Sequence, residues 1–284
     1  APGCAFEADG CHVVMLPGPP SECRPMFLYR AMPYLQRLSE GTIVSHTLKL
    51  FGIGESSMEA QLRDQMNAMS NPTLAPYAKE GECELRVTAK AATEAEAQAL
   101  LRPTVEEVKA LFGSKVYGVD VPSLEYVVLE GLKARGLTLG VAESCTGGLM
   151  AKRITDIPGT SQVFLGGVVS YTNQVKARAL GVPQHLLEQF GAVSPEVAQA
   201  MAQGARQALG CDIALAATGV AGPDKDEWDN EVGTMFVAIA TAEGTHVRPL
   251  KLGNRPVRER LRIQTASHAF DLARRYLSGL PYEE

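Results

Sequence analysis

The sequence predicts an α/β protein whose C-terminal part is an α/β sandwich on a mixed or parallel sheet, preceded by a small α+β domain. Three observations carry this expectation. From residue 123 onward, helical and strand-like segments alternate, the pattern that layers helices on the faces of a sheet. Two polar, glycine-bearing loops, 143–148 and 218–223, directly follow short apolar strands. A Gly/Pro break at 118–122 interrupts all periodicity and separates that region from a shorter set of strands and helices. Length agrees, because 284 residues exceed one ordinary domain of roughly 100 to 200.

The elements follow in order. Residues 11–16 read as a strand, 17–20 as a proline-rich turn, and 26–38 as a helix carried by Met26, Phe27, Arg30 and Leu35. Alone, residues 1–40 bury too little surface to fold. Residues 42–51 alternate as a strand, 57–69 follow as a helix, and 83–89 alternate again. Thr93 then caps a further helix, with Glu94 and Glu96 placed where the helix dipole favours carboxylates. This unit, 41–117, ends at the linker 118–122, and the last domain spans 123–284.

In that domain Leu124, Val127, Val128 and Leu132 mark one face of a helix that Gly136 stops, and 137–142 is a nearly continuous apolar strand. Residues 164–171 form the next strand and 173–180 a helix. Ser194-Pro195-Glu196 opens another helix with serine as cap and proline in the first turn. A strand at 213–217 runs into the second loop, and 233–241 pairs with 245–252 across a turn at 242–244. An arginine-rich helix, 257–277, closes the chain.

Composition narrows the function classes. With 45% hydrophobic and 21% charged residues the chain is globular rather than disordered or fibrous. A net charge of −5 gives no reason to expect nucleic acid, whose binding rests on lysine and arginine neutralising phosphates. No apolar run approaches the ~18 residues of a membrane span and no basic-then-apolar leader opens the chain, so neither membrane nor secretion is expected and the location is taken as cytoplasmic. The six cysteines form no CxxC pair and read as free thiols. Cys4, Cys11, His12 and Cys23 have the spacing of no familiar zinc finger, so no metal site is expected. The chain opens at Ala1, directly into a loop-like Ala-Pro-Gly, and reads as a fragment.

Chemistry concentrates at the two loops. In open α/β sheets ligands bind beyond the carboxyl ends of strands, so both loops are expected at one crevice. The first also opens amides at a helix start, which favours a phosphate or carboxylate. The alternative is a pair of tight turns that need glycine for their backbone. Ser144 is presented one residue beyond a buried strand, as a nucleophile or as a helix cap. Lys176 follows a neighbouring strand that returns to the same edge, and desolvated beside a serine it can serve as general base; a solvated surface charge is the alternative. Tyr171 stands five residues earlier, where it can hold the amine or relay a proton. Arg255, Arg258 and Arg262 share a helix face that meets a phosphate, the acidic loop described next, or only water.

Four segments in this order, AESCTGG, SYTNQVKARALGV, GAVSPEVAQAMA and TGVAGP, make residues 123–278 resemble the C-terminal domain of the competence/damage-inducible protein CinA family, whose members act as nicotinamide-nucleotide amidohydrolases. The stretch VVMLPGPPSEC is similar to the tail of the family's molybdopterin-binding-like N-terminal α/β domain, making 1–40 a remnant of it. Residues 41–117, including NPTLAPYAKEGECELRVTA, resemble its middle domain. The resemblance implies a Ser-Lys mechanism with Ser144 as nucleophile, Lys176 as base and Tyr171 assisting. Thr146, Gly147, Gly148, Thr218 and Gly219 would line the nucleotide pocket, with Glu143, Cys145, Gly222, Arg255 and Arg258 as further substrate contacts.

The implied reaction converts nicotinamide mononucleotide to nicotinic acid mononucleotide and ammonia, in pyridine nucleotide recycling. No cofactor is implied for the C-terminal domain. The divalent metal of the N-terminal domain in full-length relatives is not expected to function here. The expected partners are a small-molecule nucleotide and a second copy in a homodimer. Two departures bear on substrate preference. DKDEWDNE, with five carboxylates and one lysine, stands where relatives carry a glycine-rich loop, and Gly253-Asn254-Arg255 replaces Gly-Asp-Arg. The other reading is a non-catalytic nucleotide-binding module linked to competence or DNA damage. An RNA-binding role for the middle unit is disfavoured, since Gly52-Ile53-Gly54-Glu55 provides no GxxG clamp and no basic stripe surrounds it.

Overall fold

The computed structural model describes residues 1–38, 41–79, 81–253 and 257–283. The chain opens with a hairpin, β1 (Cys4–Ala8) and β2 (Cys11–Met15), joined by Asp9 and Gly10 at φ 51° and 76°. Left-handed angles at both turn residues match the right-handed twist of the strands. Strand β1 is unforeseen because all five of its residues are exposed, leaving no alternation to read. The helix that follows begins inside the segment read as a turn. It runs through α1 (Pro20–Met26), a π-helical turn and α2 (Met32–Gln36). His12 pairs with the Tyr34 hydroxyl at 2.9 Å rather than gathering cysteines.

The middle domain is an antiparallel sheet in the order β4-β5-β3-β6. Its elements are β3 (Thr42–Leu50), α3 (Glu55–Ala68), β4 (Thr73–Lys79), β5 (Glu82–Ala91), α4 (Glu94–Phe112) and β6 (Val116–Val119). Leu48, Leu50, Leu85 and Val87 pack against Met58, Leu62, Leu101 and Val108 of the two helices. The Thr93 cap is present as a reciprocal capping box with Glu96. Strand β4 escapes sequence reading because Pro72 and Pro76 argue against a strand, yet it lies at the sheet edge, where proline is tolerated. Gly118 and Val119, read as linker, pair instead with Lys49 and Leu48.

The C-terminal domain holds α5 (Leu124–Arg135), β7 (Leu139–Glu143), α6 (Leu149–Thr155), β8 (Phe164–Val169), α7 (Asn173–Leu180), α8 (Gln184–Phe190), α9 (Pro195–Leu209), β9 (Ile213–Gly219), β10 (Thr234–Thr241), β11 (Gly244–Lys251) and α10 (Arg258–Ser278). The sheet order is β11-β10-β9-β7-β8, with β7 parallel to both β8 and β9 and the remaining pairs antiparallel. The sheet is therefore mixed. Period-two alternation divides its faces. Leu139, Val141, Ile213, Leu215, Val237 and Ile239 meet α5 and α10, whereas Ala142, Ala214, Ala216, Ala238 and Ala240 form a shallow face on which α9 lies.

The two domains share buried contacts. Phe51 of the middle domain sits in the C-terminal core, its ring edge-on to His268 at 4.9 Å. Arg153 of α6 bonds Glu125 at 2.8 Å and Ser267 at 2.9 Å and lies 3.7 Å from Glu82 of β5. Tyr117 donates its hydroxyl proton to that same Glu82.

Candidate active site

The three parallel strands end at one edge of the sheet. There the Ser144 amide donates to the Ala217 carbonyl of β9 at 2.9 Å, and the Ser170 amide donates to the Glu143 carbonyl of β7 at 2.8 Å. Because the chain leaves β7 for β8 on one side and then returns to β9 on the other, this edge is a topological switch point, the place where open sheets part to form a crevice.

Helix α7 starts just beyond β8, capped by Thr172. Lys176, in its first turn, is fully buried and Ser144 is nearly so. Its Nζ lies 2.9 Å from Ser144 Oγ, 2.9 Å from the Ser170 carbonyl and 3.3 Å from the Tyr171 carbonyl. Burial lowers the lysine from 10.5 to about 8. A Cys145 thiolate would oppose this, but burial pushes that thiol up to about 12, so it stays neutral. A neutral amine has two protons and a lone pair. With its N–H groups on the two carbonyls, its lone pair is left for the Ser144 hydroxyl.

Glu143 does something different from substrate binding. Its buried carboxylate accepts from the amides of Gly148, Met150 and Ala151 at 3.0, 3.0 and 2.8 Å, so it fills the anion site that the start of α6 was expected to offer a ligand. Cys145 is likewise a core residue rather than a substrate contact. The loop is held from outside by Arg262 of α10, which donates to the Cys145 carbonyl at 3.2 Å and the Thr146 carbonyl at 2.6 Å. The amides of Ser144, Gly147, Gly148 and Leu149 are engaged internally. Those of Cys145 and Thr146 have no oxygen acceptor among the described residues and face only the weakly accepting Cys145 sulfur. The buried hydroxyls of Thr146 and Ser170 have no partner among the described residues.

Tyr171 reaches Lys176 through its carbonyl alone. Its phenol is exposed and accepts from Arg258 at 3.2 Å, and Arg258 also donates to the Gly222 carbonyl at 2.5 Å. Arg258 thus ties the second loop to the segment after β8. Thr218 is buried and donates to the Ala192 carbonyl at 2.7 Å. Gly219 belongs to the β9–β10 ladder, where a Cβ would strike Met235, so its role is packing rather than lining. Gly147 is exposed at the crevice and Gly148 partly so. Arg255 lies outside the described residues. The carboxylates at 224–231 are largely engaged: Asp226 accepts from Trp228 N, Asn230 N and Asn230 Nδ2, while Asp229 and Glu231 pair with Lys225.

Residues 122–277 match the profile of the CinA C-terminal domain, more than half of the chain. The chain belongs to the CinA family. Residues 45–118 match the damage-inducible protein CinA KH domain. A CinA-like protein of Desulfovibrio desulfuricans is 46% identical over 285 residues, covering all of this chain and 67% of that protein. Another from Dictyoglomus thermophilum is 42% identical over 280 residues, covering 99% and 68%. Among solved structures, a competence-damaged protein (CinA) superfamily member from Klebsiella pneumoniae superposes with a TM-score of 0.53 at 29% identity, covering 55% of this chain and 96% of that one. The competence/damage inducible protein CihA from Agrobacterium tumefaciens gives 0.50 at 35% identity, covering 52% and 90%.

Two contributors to this CinA site escape sequence reasoning. The Ser170 carbonyl carries no side-chain signal. Arg262 was visible only as one member of a charged face, four residues after Arg258, and it holds the carbonyls of the loop that carries Ser144.

Proposed function

We propose that this chain hydrolyses the carboxamide of nicotinamide mononucleotide, giving nicotinic acid mononucleotide and ammonia. The observation that carries the reading is the buried amine of Lys176 at 2.9 Å from Ser144 Oγ, with two fixed carbonyls on its other sides. Ser144 Oγ bonds to the carboxamide carbon while its proton passes to Lys176 Nζ. The carbonyl oxygen carries the negative charge of the tetrahedral intermediate. Collapse breaks the C–N bond, and the Lys176 ammonium gives its proton to the departing nitrogen, releasing ammonia. Water then attacks the resulting ester, again losing a proton to Lys176, and the acid leaves as Ser144 recovers its hydrogen. We assign the phosphate to Arg258, whose guanidinium also holds the Gly222 carbonyl and the Tyr171 phenol. The test is ammonia release from nicotinamide mononucleotide by the parent chain and by Ser144→Ala; absence of release from the parent overturns the reading.

A further inference from the structure

The loop that departs most from the family pattern is built to hold one aromatic ring at the crevice. Asp226 takes three N–H groups of the loop at 2.9 to 3.0 Å, fixing its backbone around Trp228. Asn230 Nδ2 reaches across to the Val193 carbonyl at 3.4 Å. The indole rests on Gly191, where a Cβ would lie 2.6 Å from its Cδ1 and Nε1; Gly191, at φ 74° and ψ 168°, adopts angles that suit glycine alone. The ring is seated on one side and remains 44% exposed.

This seat lies on the edge that carries Ser144. The Ser144 amide bonds Ala217, the next residue Thr218 bonds the Ala192 carbonyl, and Ala192 follows the glycine under the indole. The surrounding loop holds five carboxylates against one lysine. A π-rich face in a negative field suits a flat cation better than a neutral heterocycle.

We infer that Trp228 is the aromatic wall of the crevice, on which the positively charged pyridinium ring of the ligand stacks, with the acidic loop favouring that charge. This rests on the proposed substrate and adds a specificity-determining residue to it. Trp228 is the single tryptophan of the chain, so its emission reports this site directly.

The experiment uses the full chain with Ser144→Ala to stop turnover. Nicotinamide mononucleotide and its reduced form, whose dihydropyridine ring is neutral, are titrated by calorimetry, and emission is followed with the oxidised ligand. The expected result is quenching that saturates at the calorimetric midpoint. Trp228→Ala should weaken the oxidised ligand on the order of tenfold and the reduced one far less, with Trp228→Phe restoring most of the loss. Calorimetric binding with unchanged emission, or equal affinity in Trp228→Ala, overturns the aromatic wall and leaves the substrate reading intact. No calorimetric binding of the oxidised ligand to the Ser144→Ala chain overturns both.

Discussion

Lys176 Nζ lies 2.9 Å from Ser144 Oγ, and the lysine side chain has no exposure to solvent. The closeness comes from the register of three parallel strands. Their ends place Ser144 after β7 and the capped first turn of α7 after β8 at a common edge.

Ser144→Ala removes the attacking oxygen and little of the ground-state binding surface. Ammonia release should fall about a thousandfold or more while ligand affinity stays within about tenfold. Single-turnover kinetics beside calorimetry check both halves, and near-parental turnover would remove serine from the mechanism.

The amine must be neutral to accept a proton, and burial places its titration at about 8. Turnover over substrate affinity should therefore climb with pH up to about 8 and level off above it. Lys176→Arg keeps charge but does not deprotonate, so its rate should fall as far as that of Lys176→Ala, with this limb gone. A pH–rate series on the three proteins decides it; the same limb at the same midpoint in Lys176→Ala assigns it to another group.

The same shift affects folding. Between about 8 and the ordinary 10.5, the unfolded chain holds a proton on Lys176 that the folded chain has lost, so parental stability rises with pH in that window. Below it both states are protonated and the full burial penalty stands. Lys176→Met lacks this slope. Relative to the variant, the parent should gain about 2 to 3 kcal/mol between pH 7 and pH 10 in urea unfolding. Parallel stability curves would show that the amine titrates alike in both states.

Arg262 fixes the Cys145 and Thr146 carbonyls from α10. Arg262→Ala should lower the turnover number more than it raises KM, because it loosens the loop that presents Ser144. A stability loss of about 1 to 3 kcal/mol should accompany it. Arg262→Lys has no planar fork to span both carbonyls and should recover little. Parental kinetics in either variant would reduce Arg262 to a surface charge.

Arg153→Ala would strand Glu125 and, beside it, Glu82 in a mostly buried setting. A loss of about 3 to 5 kcal/mol is expected in denaturant unfolding, with the Glu82 and Arg153 substitutions non-additive in a double-mutant cycle. Additivity would show that the domains do not communicate through this arginine.

Two helices of the C-terminal domain were legible because their signals are local: Gly136 ends α5 in left-handed geometry, and Ser194 caps α9. The Ser144 and Lys176 pairing was legible in outline, since strand ends bring such residues together, but a solvated surface charge is the commoner fate of a helical lysine. Burial decides between them and has no sequence signature. Glu143 was misread because a carboxylate beside a nucleophile looks functional, whereas its three amide partners lie up to eight residues on, in a helix whose approach angle only the fold sets. Strand β1 failed for want of alternation and β4 because edge position, which excuses its prolines, is a property of the sheet. Phe51 looked like the end of a strand; that it enters another domain's core depends on docking.

That docked ring sets the terms on which the chain can be divided. Phe51 fills a place in the C-terminal core that no residue of that domain occupies, against His268 and in company with Tyr117. Cutting at residues 120–122 would unplug the socket and leave an apolar recess on one fragment and an unhoused aromatic on the other. A fragment from residue 120 onward should bind an apolar dye more strongly than the intact chain does. Any transplant of this domain into a shorter scaffold therefore begins with redesigning that plug.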